Sequence, residues 1–342
     1  MTTWAFNPDS SAFRSRFKMV LGAVAAAAAA WTGGPAAAVT FNVVDIVDPL
    51  NPTFTQALGI NNASTIVGYG NATIFNGFQL VLPPVPANFT RQNVPGADGG
   101  TQVVGISGGN TTVGFSITGG VTNGFAQNGG LFTTVDKPGT AFNQVLGINK
   151  SGTVAAGYSS TDPAGATLQK AFTVSGGPSF TSPIFTDINA LLPPTNFNSQ
   201  ATGVNDAGAV VGFYLPTATT SVGFVDQGGV ITPIDPFGST FTQALGINSN
   251  GEIVGFEVDG AGVQHGYVDI NGVFSVFDPL GSVNTTINGV NDQGQIVGFF
   301  TDANDNVIGF VATSVVPEPA SMMLLGTGLL GFGLLRRRQR PT

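Results

Sequence analysis

The sequence predicts an all-β protein: a six-bladed β-propeller closed by its N-terminal strand, preceded by a cleavable signal helix and followed by a short C-terminal transmembrane helix. Three observations lead there. One phrase recurs six times at the length of a propeller blade, two further columns recur in register with it, and the strand that opens the body is the kind its last unit lacks.

The phrase reads LGINNASTIVGY, VGISGGNTTVGF, LGINKSGTVAAGY, TGVNDAGAVVGF, LGINSNGEIVGF and NGVNDQGQIVGF. Its glycines, Gly59, Gly105, Gly147, Gly203, Gly246 and Gly289, lie 46, 42, 56, 43 and 43 residues apart, the range of blades built from four strands. Runs of β-branched residues flank a four-residue turn such as NSNG or NDQG, whose Asn and Gly tolerate left-handed backbone angles, so each copy is expected to form a β-hairpin. No stretch of the body carries sustained helical periodicity, and glycines interrupt every candidate.

About ten residues after each phrase comes a small residue and an aromatic: Gly77-Phe78, Gly124-Phe125, Ala171-Phe172, Gly223-Phe224, Gly266-Tyr267 and Gly309-Phe310. A further column is a strand ending in Asp or Asn, often before Pro, at Asp48, Asn93, Asp136, Asp187, Asp235 and Asp278. Each unit thus holds four strand-like pieces. The opening piece, FNVVDIVDPL, belongs to that last column yet precedes the first phrase, and the sixth unit stops after Phe310 without such a strand. A ring in which residues 41–48 complete the sixth blade accounts for both, ties the ends together without a disulfide and hides an exposed edge. A β-solenoid or sandwich is the alternative, but a solenoid needs capped ends and no polar cap is evident.

The chain has 49 Gly, 27 Phe and only 9% charged residues, with no Cys, which excludes disulfides, thiolate metal sites and a thiol nucleophile. Most basic residues gather in the two terminal segments. Residues 39–315 keep four, Arg91, Lys137, Lys150 and Lys170, against 17 acids, a net of −13. With no basic stripe to neutralise phosphates, nucleic acid is not an expected partner.

The N-terminal stretch FRSRFKMVLGAVAAAAAAWTGGPAAAVTF has a basic start, an apolar run from Met19 to Trp31 and a small-residue site at Ala36, Ala37 and Ala38. That order predicts a signal peptide over residues 1–38, taken by the Sec export machinery and cut after Ala38; a buried Ala-rich helix is the other reading. In residues 316–342, Pro317 and Pro319 set off an apolar run from Ala320 to Leu335. As a helix its 16 residues reach ~24 Å, short of the ~30 Å hydrocarbon core. Arg336, Arg337, Arg338 and Arg340 would hold its end in the cytoplasm, leaving the body outside.

Val316-Pro317-Glu318-Pro319, the apolar run and the arginine cluster together resemble the PEP-CTERM sorting signal. The resemblance implies recognition in the membrane by an exosortase and cleavage near Pro317, Glu318 and Pro319. It also implies a Gram-negative bacterium that makes extracellular polysaccharide, with the protein transiently anchored in the inner membrane. A plain C-terminal anchor would also place the body outside the cytoplasm. Over residues 41–313 the units resemble the HAF family of probable extracellular repeats, through Gly-Ile-Asn, a turn and Ile-Val-Gly-Phe, as at Gly246 to Phe256. The His-Ala-Phe element of that family is kept only as His265-Gly266-Tyr267 and Lys170-Ala171-Phe172. The resemblance carries no catalytic residue over.

Reactive chemistry has few candidates, and no catalytic residue is assigned. His265 is the sole histidine, so a His-based metal cluster cannot form and any Ser-His-Asp arrangement depends on it. Most acids fall in repeated turns or strand ends. The exceptions are chiefly Glu252, Glu257, Asp259 and Asp269 of unit five. Glu257 and Asp259 would face the same side of one strand, and glycosidases need two carboxylates ~5–10 Å apart. In TDANDNVIG, Asp302, Asn304 and Asn306 alternate like the opening of a calcium loop, but Val307 and Thr313 replace the Gly and Glu of an EF-hand. A β-turn is the competing reading. No phosphate-binding loop is present. Tyr69, Phe115, Tyr158, Phe213, Phe256 and Phe299 end the phrase and are expected to pack between blades; no Trp lies outside the N-terminal segment to favour a sugar-binding surface.

The expected function is therefore a non-enzymatic binding or structural module at the cell surface or in the matrix, with extracellular polysaccharide as a partner. The alternative is a secreted polysaccharide hydrolase or lyase using carboxylates of unit five in the central channel. Clustering of those acids in one cleft would favour the enzyme, and scattering over the rims would count against it.

Overall fold

The computed structural model describes residues 40–188, 192, 198–217 and 219–315. The signal helix, Ala38, the Pro317-Glu318-Pro319 element, the apolar run and Arg336, Arg337 and Arg338 lie outside the described residues. Among the described residues there is no α-helix, and no helix long and apolar enough to cross a membrane.

The strands fall into six four-stranded antiparallel sheets. The opening strand is β1 (Thr40–Ile46). Blade one holds β2 (Thr55–Ile60), β3 (Thr65–Gly70), β4 (Asn76–Val81) and β5 (Phe89–Arg91). Blade two holds β6 (Gly100–Ile106), β7 (Thr112–Thr118), β8 (Val121–Asn128) and β9 (Leu131–Thr134). Blade three holds β10 (Phe142–Ile148), β11 (Val154–Ser160), β12 (Lys170–Ser175) and β13 (Ile184–Asp187). Blade four holds β14 (Asn198–Val204), β15 (Val210–Leu215), β16 (Val222–Gln227) and β17 (Val230–Ile234). Blade five holds β18 (Thr242–Ile247), β19 (Ile253–Val258), β20 (Gln264–Ile270) and β21 (Val273–Phe277). Blade six holds β22 (Asn284–Val290), β23 (Gln295–Thr301) and β24 (Val307–Val315), with β1 as its fourth strand.

The predicted closure is present: β1 pairs antiparallel with β24, from Thr40 opposite Val315 to Ile46 opposite Gly309. Six apolar clusters each join two neighbouring blades. The one between blades six and one contains Ile46, Ala57, Ile66, Phe78, Val297 and Val311. Each sheet is therefore covered on both faces, which is why β3 and much of every second strand are buried without alternation. The aromatics of the small-aromatic column form these cores, with Phe78, Phe172, Phe224, Tyr267 and Phe310 fully buried. Their partners are small because the outer edge of their own blade and the next blade leave no room: a Cβ at Gly77 would lie 2.4 Å from the Gln92 carbonyl, just after β5, and 2.8 Å from Val103 of blade two. In blades one and two the Asp/Asn column accepts a backbone bond from the same small residue, Gly77 N–H to Asn93 (2.9 Å) and Gly124 N–H to Asp136 (2.9 Å); in blade three Ala171 N–H donates to Ser199 instead.

The innermost strands β2, β6, β10, β14, β18 and β22 surround the axis. Each has a β-bulge immediately before its phrase glycine, so that Leu58, Val104, Leu146, Thr202, Leu245 and Asn288 have no cross-strand partner and line the channel. The six glycines then touch in a closed circle. A Cβ on Gly59 would sit 3.3 Å from the Cα of Gly105, and the chain of contacts runs through Gly147, Gly203, Gly246 and Gly289 back to Gly59.

Each inner strand runs toward the hairpin turn of its phrase, at one face of the disc. There Asn205 accepts from the backbone N–H groups of Ala207 and Ala209, closing the turn, and donates to the Asn248 carbonyl of the next blade (3.1 Å). Asn248 reaches the Asn291 carbonyl, Asn291 that of Asn61, and Asn61 that of Ser107. β24 also ends, and β1 begins, at this face.

Candidate functional site: the axial channel

The channel is layered because each inner strand contributes the same register. At the face opposite the hairpin turns it opens into a funnel of about 670 Å³. Gln56, Gln102, Gln144 and Gln243 project into this funnel from blades one, two, three and five, and blade six supplies Thr286. The equivalent Gln200 of blade four lines the narrower middle of the channel and is held by Gln169 (2.9 Å). Thr286 accepts from Gln264 (2.6 Å). Among the described residues, no protein group bonds the side-chain amides of Gln56, Gln102, Gln144 or Gln243, so each offers a donor and an acceptor to whatever enters. Phe115, Phe256 and Phe299 line the same funnel, Phe299 half-buried.

Below the amides the channel narrows to about 210 Å³ through the ring of Leu58, Val104, Leu146, Thr202, Leu245 and Asn288 and then the glycines. Thr202 satisfies its hydroxyl on the Ala244 carbonyl (2.7 Å), whereas the buried Oδ1 of Asn288 has no hydrogen-bond partner. Among the described residues, no charged side chain lines the funnel or this middle section.

The hairpin end is a small vestibule of about 60 Å³. Lys150 of blade three and Asp292 of blade six, three blades apart in either direction, meet there at 2.9 Å. Partial burial pushes the Asp292 carboxyl up, but hydrogen bonds from Asn62, Lys150 and Ser249 outweigh it and hold the group at about 2. The hydrogen bond to Asp292 correspondingly raises Lys150.

The reactive residues singled out in the sequence lie elsewhere. Glu252 and Glu257 flank opposite ends of β19, and Asp269 pairs opposite Ile253, near Glu252. The unit-five acids thus divide between the two rims, and none lines the funnel or the middle of the channel. Asp259 caps its own turn, accepting from Ala261 and Val263 N–H groups, which holds its carboxyl below the usual range. His265 sits between two acids, with Nδ1 2.7 Å from Asp278 and Nε2 3.6 Å from Asp259. The bond to Asp278 raises its pKa. Asp302 occupies the β23–β24 turn: its carboxylate accepts from the N–H groups of Asn304 (2.8 Å) and Asn306 (2.9 Å) and from the Asn306 amide (2.9 Å). These donors from the turn occupy both carboxylate oxygens. The phrase aromatics are buried except Phe299, which is half-buried, but none of them belongs to the six apolar clusters that join the blades: Tyr69 lies against the rings of Phe54 and Phe75, Tyr158 against Phe142 and Phe256 against Phe241, and Phe115, Phe256 and Phe299 border the funnel.

Sequence reasoning missed the amide ring. Its signal is a polar residue followed by Gln, three positions before the phrase glycine, as in TQALG, TQVVG, NQVLG and SQATG; the phrase opens at Leu58 and its equivalents, two residues past the glutamine.

Residues 315–338 match the PEP-CTERM protein-sorting motif. That motif implies export, processing by an exosortase and sorting to the bacterial cell surface. No curated protein matches the chain in sequence. Among solved structures it is similar to TolB from Acinetobacter baumannii, with TM-score 0.49 and 6% identity over 76% of this chain; it spans 64% of the TolB chain. It is also similar to a mutant of AofleA from Arthrobotrys oligospora, with TM-score 0.46 and 10% identity, covering 81% of this chain and 90% of that one. A subtype N11 neuraminidase-like protein of a flat-faced bat influenza A virus gives TM-score 0.46 and 11% identity over 82% and 96% of the two chains.

Proposed function

We propose that the protein is an exported, non-enzymatic binding module, sorted to the cell surface or matrix of a Gram-negative bacterium, that holds an extracellular polymer in the mouth of its channel. The observation that carries this reading is the set of four amides with no protein partner, placed by the repeat around one opening. Six copies of a hairpin need only architectural residues to form a disc. Polar side chains aimed at the axis without satisfying one another are the exception that binding explains. The sorting motif supports delivery outside the cytoplasm, and the HAF-type repeat pattern agrees with an extracellular role. The apolar run from Ala320 to Leu335 would hold the chain in the inner membrane until an exosortase acts.

A hydrolase or lyase would need paired carboxylates or another acid–base set where the substrate sits, and the channel above the vestibule offers none. The test is to incubate the protein with polysaccharide isolated from its host. Retention of polymer on the immobilised protein with no new reducing or unsaturated ends is expected; accumulation of such ends would establish the enzyme instead.

A further inference from the structure

Resting on that binding reading, we infer that the funnel takes the terminal residue of an uncharged polysaccharide, end-on along the molecular axis. Charge decides the ligand class first. Among the described residues, the funnel and the section below it contain amides, hydroxyls, aliphatic groups and aromatics but no ionised side chain. A uronate, sulfate or amine entering it would give up hydration with no opposite charge in return. Neutral hydroxyls, which both donate and accept, match primary amides.

Polar and apolar groups alternate around the mouth. Amides come from blades one, two, three and five through Gln56, Gln102, Gln144 and Gln243, and of the three rings that border the funnel, Phe299 of blade six is the half-buried one. A pyranose has hydroxyls around its edge and C–H groups on its faces, so the amides can meet its edge while Phe299 takes part of a face. Deeper in, Asn288 adds a polar side chain to an otherwise mostly aliphatic ring.

Closure of the other end decides the mode. The axis narrows at the ring of glycines, and the vestibule beyond is barred by Lys150 and Asp292. A chain cannot thread through, so only a chain end or a short branch can fill a funnel of about 670 Å³, a volume typical of small-molecule sites. An internal segment lying across the mouth would touch the rim and leave the funnel itself unfilled.

The experiment is calorimetric titration of the full chain with neutral linear gluco-, galacto-, manno- and xylo-oligosaccharides from three to twelve residues, beside uronate-containing oligosaccharides of equal length. At least one neutral series is expected to bind one protein per oligosaccharide at every length, with an affinity that stops rising once the funnel is filled. Gln102→Leu combined with Gln144→Leu should weaken binding at least tenfold with an unchanged melting temperature, and Gln144→Glu should weaken it while keeping the side chain's shape. Lys137→Ala, far from the axis, should leave it unchanged. Several proteins bound per long oligosaccharide, with the glutamine variants still defective, would overturn end-on binding while leaving the proposed binding function intact. Preference for the uronates, binding indifferent to the glutamines, binding of unrelated peptides instead, or no binding by any neutral series would overturn the inference as a whole.

Discussion

Lys150 and Asp292 join blades that face each other across the axis, their charged atoms 2.9 Å apart in the vestibule of the channel. The carboxylate is held far below its unfolded value, so it stabilises the fold when ionised and loses that contribution on protonation. The contribution of Asp292 is therefore expected to be constant above about pH 5 and to be lost between about pH 4, the unfolded carboxyl value, and about 2. Asp292→Asn should flatten that fall in urea titrations at successive pH values. An identical acid limb in the variant would show that Asp292 does not report there.

The closing strand should contribute as a core element. Ile46 is fully buried between blades six and one, so Ile46→Ala is expected to cost about 2–5 kcal/mol in denaturant unfolding. Val47→Ala, on an exposed neighbour, should cost far less.

The circle of glycines predicts a sharp positional contrast. An alanine Cβ at Gly147 would lie 2.4 Å from the Thr202 carbonyl and 2.9 Å from the Cα of Gly203, both backbone atoms that cannot swing away. Gly147→Ala should destabilise by about 1–3 kcal/mol or more. Gly109→Ala, which meets nothing within 4 Å, should be near neutral in thermal melts.

His265 gives a titration that can be followed directly. Its bond to Asp278 raises its pKa, so the stabilisation from the pair is complete below the unfolded value of about 6.5 and is lost as pH rises through the folded one. In nuclear magnetic resonance titrations, Asp278→Asn should move the His265 midpoint downward. An unmoved midpoint would show that Asp278 is not the group that holds the proton.

The architecture was legible because a ring repeats its grammar. Gly59 and its five equivalents gave the period, and the surplus strand through Ile46 announced its own partner. The site was less legible for the same reason: a residue that recurs in every blade reads as architecture, and Gln56, Gln102, Gln144 and Gln243 recur. Only their direction separates them from Ala57 or Val103, which are fully buried between blades. That direction is set by strand register and by a bulge, which leave no mark of their own in composition. Conversely, the irregular acids of unit five drew attention by breaking the pattern, and β19 simply carries Glu252 and Glu257 to opposite rims.

The run of β24 toward the hairpin face governs how the molecule is presented. The sorting motif begins at residue 315, the last residue of that strand, so the described chain leaves the disc at the face that holds Lys150 and Asp292, and the departure point takes nothing from the rim of the funnel at the opposite face.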